Sequence, residues 1–276
     1  MIQINNISFS YGETPVLENI TMKFEPGRIY GLLGENGVGK TTLLTLLCGL
    51  KKVNSGEIAV DGTNPYKRKP GTLSSIFYLP DEVAPARMTP EVYAANYGKY
   101  WESFDIGKFR MVMQEFENPL EQRMDKMSCG QLKKTYIAFA LATNARYLLM
   151  DEPTNGLDIP SKAQFRSAVT RHTSEDSTII ISTHQVRDME NIIDPIVILD
   201  RRDVLLDASI QEITEKLFFD YGSELHPDAL YTEVIPGMAV QVVRNTTGQE
   251  SKVSIEALFN AVHAHKEEIK AMFTKE

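Results

Sequence analysis

The chain has 276 residues, which is enough for one large domain with an appendage or for two small domains. Its composition, with 42% hydrophobic and 24% charged residues, is ordinary for a globular protein and excludes intrinsic disorder, collagen and a disulfide-rich scaffold. Acidic side chains outnumber basic ones by 37 to 29, for a formal net charge of −8. No nucleic-acid partner is expected, because phosphate backbones require a basic surface.

Cysteine usage and hydropathy predict a soluble cytosolic protein. Cys48 and Cys129 lie far apart in the sequence and are expected to be reduced thiols. Residues 1–5 lack the basic segment and apolar run of a signal peptide. No stretch approaches the roughly 18 consecutive apolar residues that a membrane span requires. Any membrane role is therefore expected to be exercised through a partner.

Strands dominate the first eighty residues, and helices follow them. Short strands are predicted up to an apolar strand at 29–33, then a helix after Lys40 and strands at 57–60 and 75–79. Residues 82–145 are predicted to be helical. Two stripes at helical spacing are interpreted there as helix core: Tyr93, Tyr97, Tyr100 and Trp101, and Phe109, Met113 and Phe116.

The second half of the chain alternates between strand and helix. Strands are predicted at 147–150, 178–182 and 196–199, with helices at 162–172 and 185–191. This alternation is typical of a parallel α/β sheet. In the last fifty residues the pattern weakens, with one strand at 240–243 and one or two helices over 254–273, capped by Ser254.

A phosphate-binding loop is indicated between the strand at 29–33 and the helix after it. Residues 34–41 match the pattern G-x-x-x-x-G-K-[ST], and the required strand and helix flank the match. Glycines let successive backbone N–H groups turn toward phosphate oxygens, and the helix N-terminus adds positive dipole charge. Lys40 places a charge on the β- and γ-phosphates, and Thr41 offers a hydroxyl to Mg²⁺. The predicted ATP-binding residues of this segment are Asn36, Gly37, Val38, Gly39, Lys40, Thr41 and Thr42.

Two carboxylates end the apolar strand at 147–150. Asp151 is predicted to hold Mg²⁺, and Glu152 to polarise the attacking water. Buried strands often end in aspartate, so the two carboxylates indicate a functional site mainly in combination with the phosphate loop.

Together these motifs resemble the ATP-binding cassette family, and specifically the nucleotide-binding subunit of an exporter-type transporter whose permease is encoded separately. The resemblance covers residues 1–215. Residues 127–131, Met-Ser-Cys-Gly-Gln, resemble the family signature; residues 151–158 resemble the acidic strand end and the loop that crosses the dimer; Ser182-Thr183-His184 resembles the switch-histidine segment. Tyr11 stands where the family has an aromatic that stacks on adenine, and Val16 is expected to pack nearby.

The resemblance implies an α/β fold: a P-loop NTPase core with a mixed or parallel sheet, an N-terminal antiparallel β subdomain and a helical signature subdomain at about 82–145. The ATP-binding domain would span 1–215, and 216–276 would be a C-terminal extension. Catalysis is assigned to Glu152 and His184, and Mg²⁺ to Thr41, Asp81 and Asp151. Ser128, Gly130 and Gln131 would contact ATP held by a partner chain, from a helix expected to start near Gln131, and Asp158 would lie in the dimer loop.

The implied partners are a membrane-spanning permease and a second cassette, in an ATP-dependent homodimer or a heterodimer. The protein would be cytoplasmic, peripheral on the inner face of the cell membrane, and would hydrolyse ATP with Mg²⁺ to drive export. Residues 254–259 resemble a short helix of efflux systems. An alternative is a soluble ATPase that acts as an assembly or regulatory factor.

Two residues depart from the family pattern. Cys129 replaces the first signature glycine, and little effect is expected because the contacts come from Ser128 and Gly130. Asp81 replaces a glutamine that ligands Mg²⁺ and links to the permease. Considered in isolation, His184 could be a capping or core histidine, Ser128 an ordinary helix cap and Tyr11 an aromatic residue in a surface turn.

Overall fold

The computed structural model describes residues 1–274, and within them the chain forms twelve strands and nine α-helices. The strands are β1 (Ile2–Tyr11), β2 (Thr14–Phe24), β3 (Ile29–Leu33), β4 (Ser55–Val60), β5 (Ile76–Leu79), β6 (Tyr147–Asp151), β7 (Thr178–Thr183), β8 (Ile196–Asp200), β9 (Asp203–Ala208), β10 (Leu217–Gly222), β11 (Tyr231–Ile235) and β12 (Met238–Arg244). The helices are α1 (Lys40–Leu47), α2 (Pro70–Ser74), α3 (Pro90–Tyr97), α4 (Ile106–Glu115), α5 (Cys129–Ala142), α6 (Ile159–His172), α7 (Ile210–Lys216), α8 (Ile255–Ala264) and α9 (Lys266–Phe273).

A six-stranded sheet in the order β5-β6-β7-β3-β8-β9 forms the core. All neighbouring pairs are parallel except β8 with β9, which run antiparallel. Both faces are covered, as a mostly parallel sheet requires. In β7, Ile179 and Ile181 are buried in one hydrophobic cluster and Ile180 in the cluster on the opposite face. The parallel arrangement brings the carboxyl ends of β3, β6 and β7 to one edge, where the functional motifs follow.

The N-terminal segment forms a separate three-stranded sheet in the order β2-β1-β4. Strand β1 is antiparallel to both neighbours. Its buried side chains Ile2, Ile4 and Ile7 share a cluster with Leu43 and Leu47 of α1. This sheet therefore packs against the helix that follows the phosphate loop.

Residues 82–145 contain α3, α4 and α5, as predicted. Phe139 of α5 is 1% exposed and lies at the centre of an aromatic cluster. The ring centroids of five aromatic residues lie 5.1–6.4 Å from that of Phe139: Phe77, Tyr93, Trp101, Phe104 and Phe109. The stripe at 109, 113 and 116 is fully buried, as expected. The other stripe is not all core, because α3 ends at 97, and Tyr97 and Tyr100 are exposed.

Residues beyond α7 form a small antiparallel sheet, β10-β12-β11, together with α8 and α9. The predicted strand at 240–243 lies within β12, and Ser254 caps α8 by accepting a hydrogen bond from the Ala257 N–H. Leu258 and Phe273 belong to the same hydrophobic cluster as Ile198 of the core sheet. The division of the chain after residue 215 falls inside α7 and remains a proposal.

The expected fold class is confirmed, and several elements differ from the predictions. The helix expected at 185–191 is only a 3-10 turn at Val186–Met189, and α5 starts at Cys129, two residues before the expected Gln131. Strands β9, β10 and β11 and helix α7 were not predicted. Among residues 1–274, no helix is long and apolar enough to cross a membrane.

Candidate functional site

The loop between β3 and α1 has the geometry that its glycines require. Gly37 and Gly39 have φ angles of 84° and 112°, which side-chain-bearing residues rarely adopt. A Cβ on Gly34 would lie 2.6 Å from the carbonyl oxygen of Leu199. Within the described chain no side chain caps α1, so its first-turn N–H groups remain available to an anion. The backbone of this loop is therefore suited to hold phosphate.

Lys40 is buried at the start of α1. Its ammonium donates to the carbonyl oxygens of Gly34 at 2.7 Å and Glu35 at 3.0 Å, and lies 3.6 Å from a carboxylate oxygen of Glu152. Burial lowers the pKa of Lys40, while the charges of Glu152 and Asp151 act in the opposite direction. The lysine is thus held by weak carbonyl acceptors and one carboxylate, all of which a polyphosphate can replace.

Asp151 is surrounded by hydroxyl groups. Its carboxylate accepts hydrogen bonds from the hydroxyl groups of Thr41 at 2.6 Å and Tyr78 at 3.4 Å, and from that of Ser182. The pairing of β6 with β7 places Asp151 opposite Ser182. A carboxylate beside a threonine hydroxyl is a donor set that Mg²⁺ prefers. The sequence had indicated Thr41 and Asp151, whereas Tyr78 and Ser182 were not predicted as members, although both lie in strands next to β6.

Glu152 lies between Lys40 and His184. The Nδ1 atom of His184 is 2.9 Å from Oε1 of Glu152, and its backbone N–H donates to Oε2 at 3.4 Å. Glu152 is buried and has a φ of 44°, in the left-handed region. Its own N–H donates to the backbone and side-chain oxygens of Ser182. A non-glycine residue held in this conformation is a frequent feature of functional sites.

Tyr11 and Val16 flank the phosphate loop. The ring of Tyr11 is exposed, and its hydroxyl lies 3.2 Å from Oγ1 of Thr42. The ammonium of Lys51 lies 4.7 Å from the ring centroid, a cation–π contact that the sequence analysis missed. Val16 packs close to Gly39, because a Cβ atom added to Gly39 would lie 3.1 Å from Cγ1 of Val16. An adenine-stacking role for Tyr11 remains a prediction.

The signature segment forms the N-terminus of α5. Ser128 and Gln131 make a capping box, in which the Ser128 hydroxyl accepts from the Gln131 N–H and the Gln131 side chain accepts from the Ser128 N–H. Ser128 is exposed and Gly130 is half-buried. A Cβ on Gly130 would lie 3.5 Å from the carbonyl oxygen of Gly156, so the signature and the loop after Glu152 form one surface.

Asp158 is the N-cap of α6. Its side chain accepts from the Ser161 N–H at 2.9 Å, and hydrogen bonding to the side chain and then the backbone of Ser161 lowers the pKa of the exposed carboxyl. Its predicted role at a dimer contact is not tested by the structure of one chain.

Asp81 follows β5, and its carboxylate lies 3.4 Å from the ammonium of Lys133 on α5. The Asn155 amide donates to both of its oxygens, at 3.3 and 3.4 Å. Burial lowers the pKa of Lys133, and the charges of Asp81, Asp151 and Glu152 oppose this shift. The predicted Mg²⁺ ligand therefore also has protein partners, which the sequence did not indicate, and its metal role stays a prediction.

Both cysteines are free thiols. Cys48 is buried near the end of α1, and Cys129, the signature departure, is exposed. Cys129 is the first residue of α5 and has a side chain where the family has glycine. The capping box of Ser128 and Gln131 forms in its presence.

Comparison with known proteins agrees with this geometry. The sequence profile of the ABC transporter family matches residues 17–155. The zinc uptake system ATP-binding protein ZurA of Listeria innocua is 27% identical over 227 residues, covering 77% of this chain and 87% of ZurA. The Nod factor export ATP-binding protein I of Cupriavidus metallidurans is 28% identical over 240 residues, covering 82% of this chain and 78% of that protein.

A solved structure shows the same fold. The putative ABC transporter ATP-binding protein from Pyrococcus furiosus is 28% identical, has a TM-score of 0.63, and covers 72% of this chain and 96% of that one. The phosphate loop, the two carboxylates at the end of β6 and the histidine after β7 lie at the edge of the core sheet where its parallel strands end. The chain belongs to the ABC transporter family as an ATP-binding subunit, and its enzymatic reaction is the hydrolysis of ATP.

Proposed function

We propose that two cassettes, two copies of this chain or this chain with a second cassette, bind head to tail around two ATP molecules with Mg²⁺. Closing and opening of this dimer would drive a separately encoded membrane permease. The proposal is supported by one observation: the functional residues of a single chain fall into two separate groups. Lys40, Thr41, Asp151, Glu152 and His184 are joined by direct contacts, whereas exposed Ser128 and half-buried Gly130 lie at the N-terminus of α5.

The hydrolytic half of the site acts within one chain. Lys40 exchanges the carbonyls of its own loop for the β- and γ-phosphates, because charged oxygens are stronger acceptors. Thr41 and Asp151 would hold Mg²⁺, and Asp81 is proposed as a further ligand; Mg²⁺ at this position would supply positive charge against the β- and γ-phosphates. Glu152 accepts the proton of the attacking water, and His184 contacts the γ-phosphate and holds the carboxylate of Glu152 in place.

The signature half acts on the other chain's nucleotide. At the N-terminus of α5 the capping box engages the N–H groups of Ser128 and Gln131, so the N–H groups of Cys129 and Gly130 and the positive dipole charge would face the nucleotide, and Ser128 adds a hydroxyl. ATP would be bound by both chains, so its hydrolysis weakens the interface, and a permease attached to each cassette would follow that motion. Asp158 and Gly156, next to Gly130, would lie at the contact between the chains.

Export is proposed as the direction, and the protein would be cytoplasmic, peripheral on the inner face of the membrane. The similarity of α8 to a helix of efflux systems and the name of the Nod factor relative, which is 28% identical, support export, while the zinc relative, which is 27% identical, is named for uptake. Affinity capture from detergent-solubilised membranes tests the partner. Recovery of a multi-span membrane protein supports the transport role; a soluble partner alone favours the assembly or regulatory alternative.

Complementation between two inactive variants tests the head-to-tail arrangement. Lys40→Ala removes the charge of the phosphate loop, and Gly130→Asp places a carboxylate against the partner's γ-phosphate while remaining compatible with the first turn of a helix. Each variant alone should not hydrolyse ATP. An equimolar mixture should recover roughly a quarter of the wild-type rate, because about half of the dimers are mixed and each has one complete site of two.

A matched mixture provides the control. Lys40 and Glu152 act in the same chain, so Lys40→Ala mixed with Glu152→Gln leaves every site defective and should stay inactive. Equal rates in the two mixtures would contradict the head-to-tail arrangement.

A further inference from the structure

Three elements of the ATP-binding domain meet at Asp81. The residue itself follows β5, Lys133 belongs to the signature helix α5, and Asn155 lies in the loop after Glu152. The Lys133 ammonium contacts both the carboxylate and the backbone carbonyl oxygen of Asp81. The Asn155 amide reaches the same carboxylate, and the Asn155 N–H donates to the Glu152 carbonyl at 3.1 Å. The signature helix is therefore linked by polar contacts to the strand end that carries the hydrolytic carboxylates.

The two partners in this ion pair depend on each other unequally. The Lys133 side chain is 4% exposed and that of Asp81 is 39% exposed. A buried ammonium without a counter-charge is strongly unfavourable, whereas a carboxylate at the edge of solvent can be hydrated. Lys133 is therefore expected to follow Asp81, which offers it both a carboxylate and a backbone carbonyl oxygen. Any movement of the Asp81 carboxylate changes the position that α5 prefers.

Lys133 moves together with the signature. It lies five residues after the cap Ser128 in a continuous helix of 14 residues, with Gly130 and Gln131 between them. The closed capping box fixes Ser128 and Gln131 to the first turn of the helix that carries Lys133, so a shift of Lys133 is expected to carry the signature with it. The direction in which the N-terminus of α5 points is thus set in part by where the ammonium of Lys133 lies.

We propose that Lys133 is a positioning residue that transmits occupancy of the Mg²⁺–ATP site to the signature helix through Asp81. The proposal rests on the proposed function in one respect, the binding of Mg²⁺–ATP between the phosphate loop and Asp151. Tyr78, three residues before Asp81, contacts the Asp151 carboxylate, so the strand end that carries Asp81 borders the metal site. The charge of bound Mg²⁺–ATP changes the attraction between the Asp81 carboxylate and the Lys133 ammonium. The ammonium then shifts, and the helix that carries it shifts as well.

Hydrogen–deuterium exchange of the full chain tests the proposal without reliance on turnover. The ligand is Mg²⁺ with the non-hydrolysable β,γ-imido analogue of ATP, at a chain concentration that light scattering shows to be monomeric. In the wild type, the ligand should slow exchange in residues 40–47 and also change exchange in residues 129–134. In Lys133→Gln, the protection of 40–47 should remain, while the response of 129–134 should fall by about fivefold.

Three variants give the experiment its controls. Lys133→Arg keeps the charge and should keep the response of α5. Lys134→Gln removes the neighbouring ammonium, which donates to the Phe116 carbonyl instead of a carboxylate, and should also keep it. Asp81→Asn should lose the response as Lys133→Gln does, because the amide no longer offers a charge. In steady-state kinetics, Lys133→Gln should lower kcat by about fivefold or more and leave KM for ATP within about twofold.

The outcomes separate the two proposals. A response of 129–134 in Lys133→Gln equal to that of the wild type overturns the role of Lys133, as does an equal loss in Lys134→Gln, which would reveal a general weakening of the helix. Absence of protection at 40–47 in the wild type overturns the proposed nucleotide site and, with it, this inference.

Discussion

The most direct test of the hydrolytic mechanism is Glu152→Gln. The carboxylate of Glu152 is buried, 2.9 Å from Nδ1 of His184 and 3.6 Å from the ammonium of Lys40. Glutamine has nearly the same shape, and its carbonyl oxygen can still accept from the His184 N–H. The substitution therefore removes the charge and the proton acceptor while disturbing packing little.

The expected loss of turnover follows from the role of a general base. A positioned proton acceptor contributes about 10²- to 10⁴-fold, which corresponds to about 3–5 kcal/mol in the barrier. ATP affinity should not fall. Coulomb's law gives about 5 kcal/mol between charges 3.6 Å apart at an effective dielectric constant of about 20, an attraction largely offset by desolvation. Removing this competitor leaves Lys40 freer to bind phosphate.

Phosphate release at saturating ATP, fluorescence-detected ATP binding and light scattering measure the three consequences. We expect turnover reduced at least about 10²-fold, ATP bound as tightly as in the wild type or more tightly, and a stable dimer with Mg²⁺ and ATP. Glu57→Gln, at an exposed position of β4, is the matched charge-removal control and should hydrolyse ATP normally. Turnover within tenfold of the wild type, or ATP binding lost in parallel with turnover, would refute the assignment of Glu152 as the base.

Three further predictions concern His184, the aromatic cluster and the thiols. His184→Ala should lower kcat more than it raises KM for ATP, since the contact stabilises charge during hydrolysis; equal effects in steady-state kinetics would assign the residue a binding role. Phe139→Ala should lower the free energy of unfolding by about 3–5 kcal/mol in denaturant titrations, against less than about 0.5 kcal/mol for exposed Tyr100→Ala. Burial raises the pKa of Cys48 to about 11, so at pH 8 iodoacetamide should label Cys129 in the native protein and Cys48 only after unfolding, as mass spectrometry would show.

The sequence predicted the parts of the site that local backbone chemistry determines. The glycines of the phosphate loop, the lysine and the following helix are contiguous, and the positive φ angles of Gly37 and Gly39 agree with the reason for which glycine was expected at these two positions. The carboxylates at the end of β6 and the histidine after β7 come at the end of apolar strands, and parallel strands bring their carboxyl ends together. The α/β class and its core sheet could therefore be predicted without the structure.

The C-terminal region was harder to predict because its strands lack the continuous buried apolar run that β6 and β7 have. Only β12 was predicted in the sheet β10-β12-β11. Its strand Tyr231–Ile235 alternates exposed and half-buried positions without a run of buried apolar residues, so the sequence signal for it is weak. The prediction for 185–191 was wrong in the other direction, because a segment with a helical pattern forms only a single 3-10 turn.

The partners of individual side chains were decided by tertiary structure alone. Lys133 and Asp81 are 52 residues apart in the chain, and nothing in the signature indicates that the second residue after Gln131 has a buried ammonium. Tyr78 meets Asp151 only because β5 lies next to β6 in the sheet. A motif specifies which chemical groups a strand end or a helix start presents, since that depends on backbone geometry within a few residues. Which charges then face each other depends on how the helical subdomain packs against the sheet, and that packing is a property of the whole core.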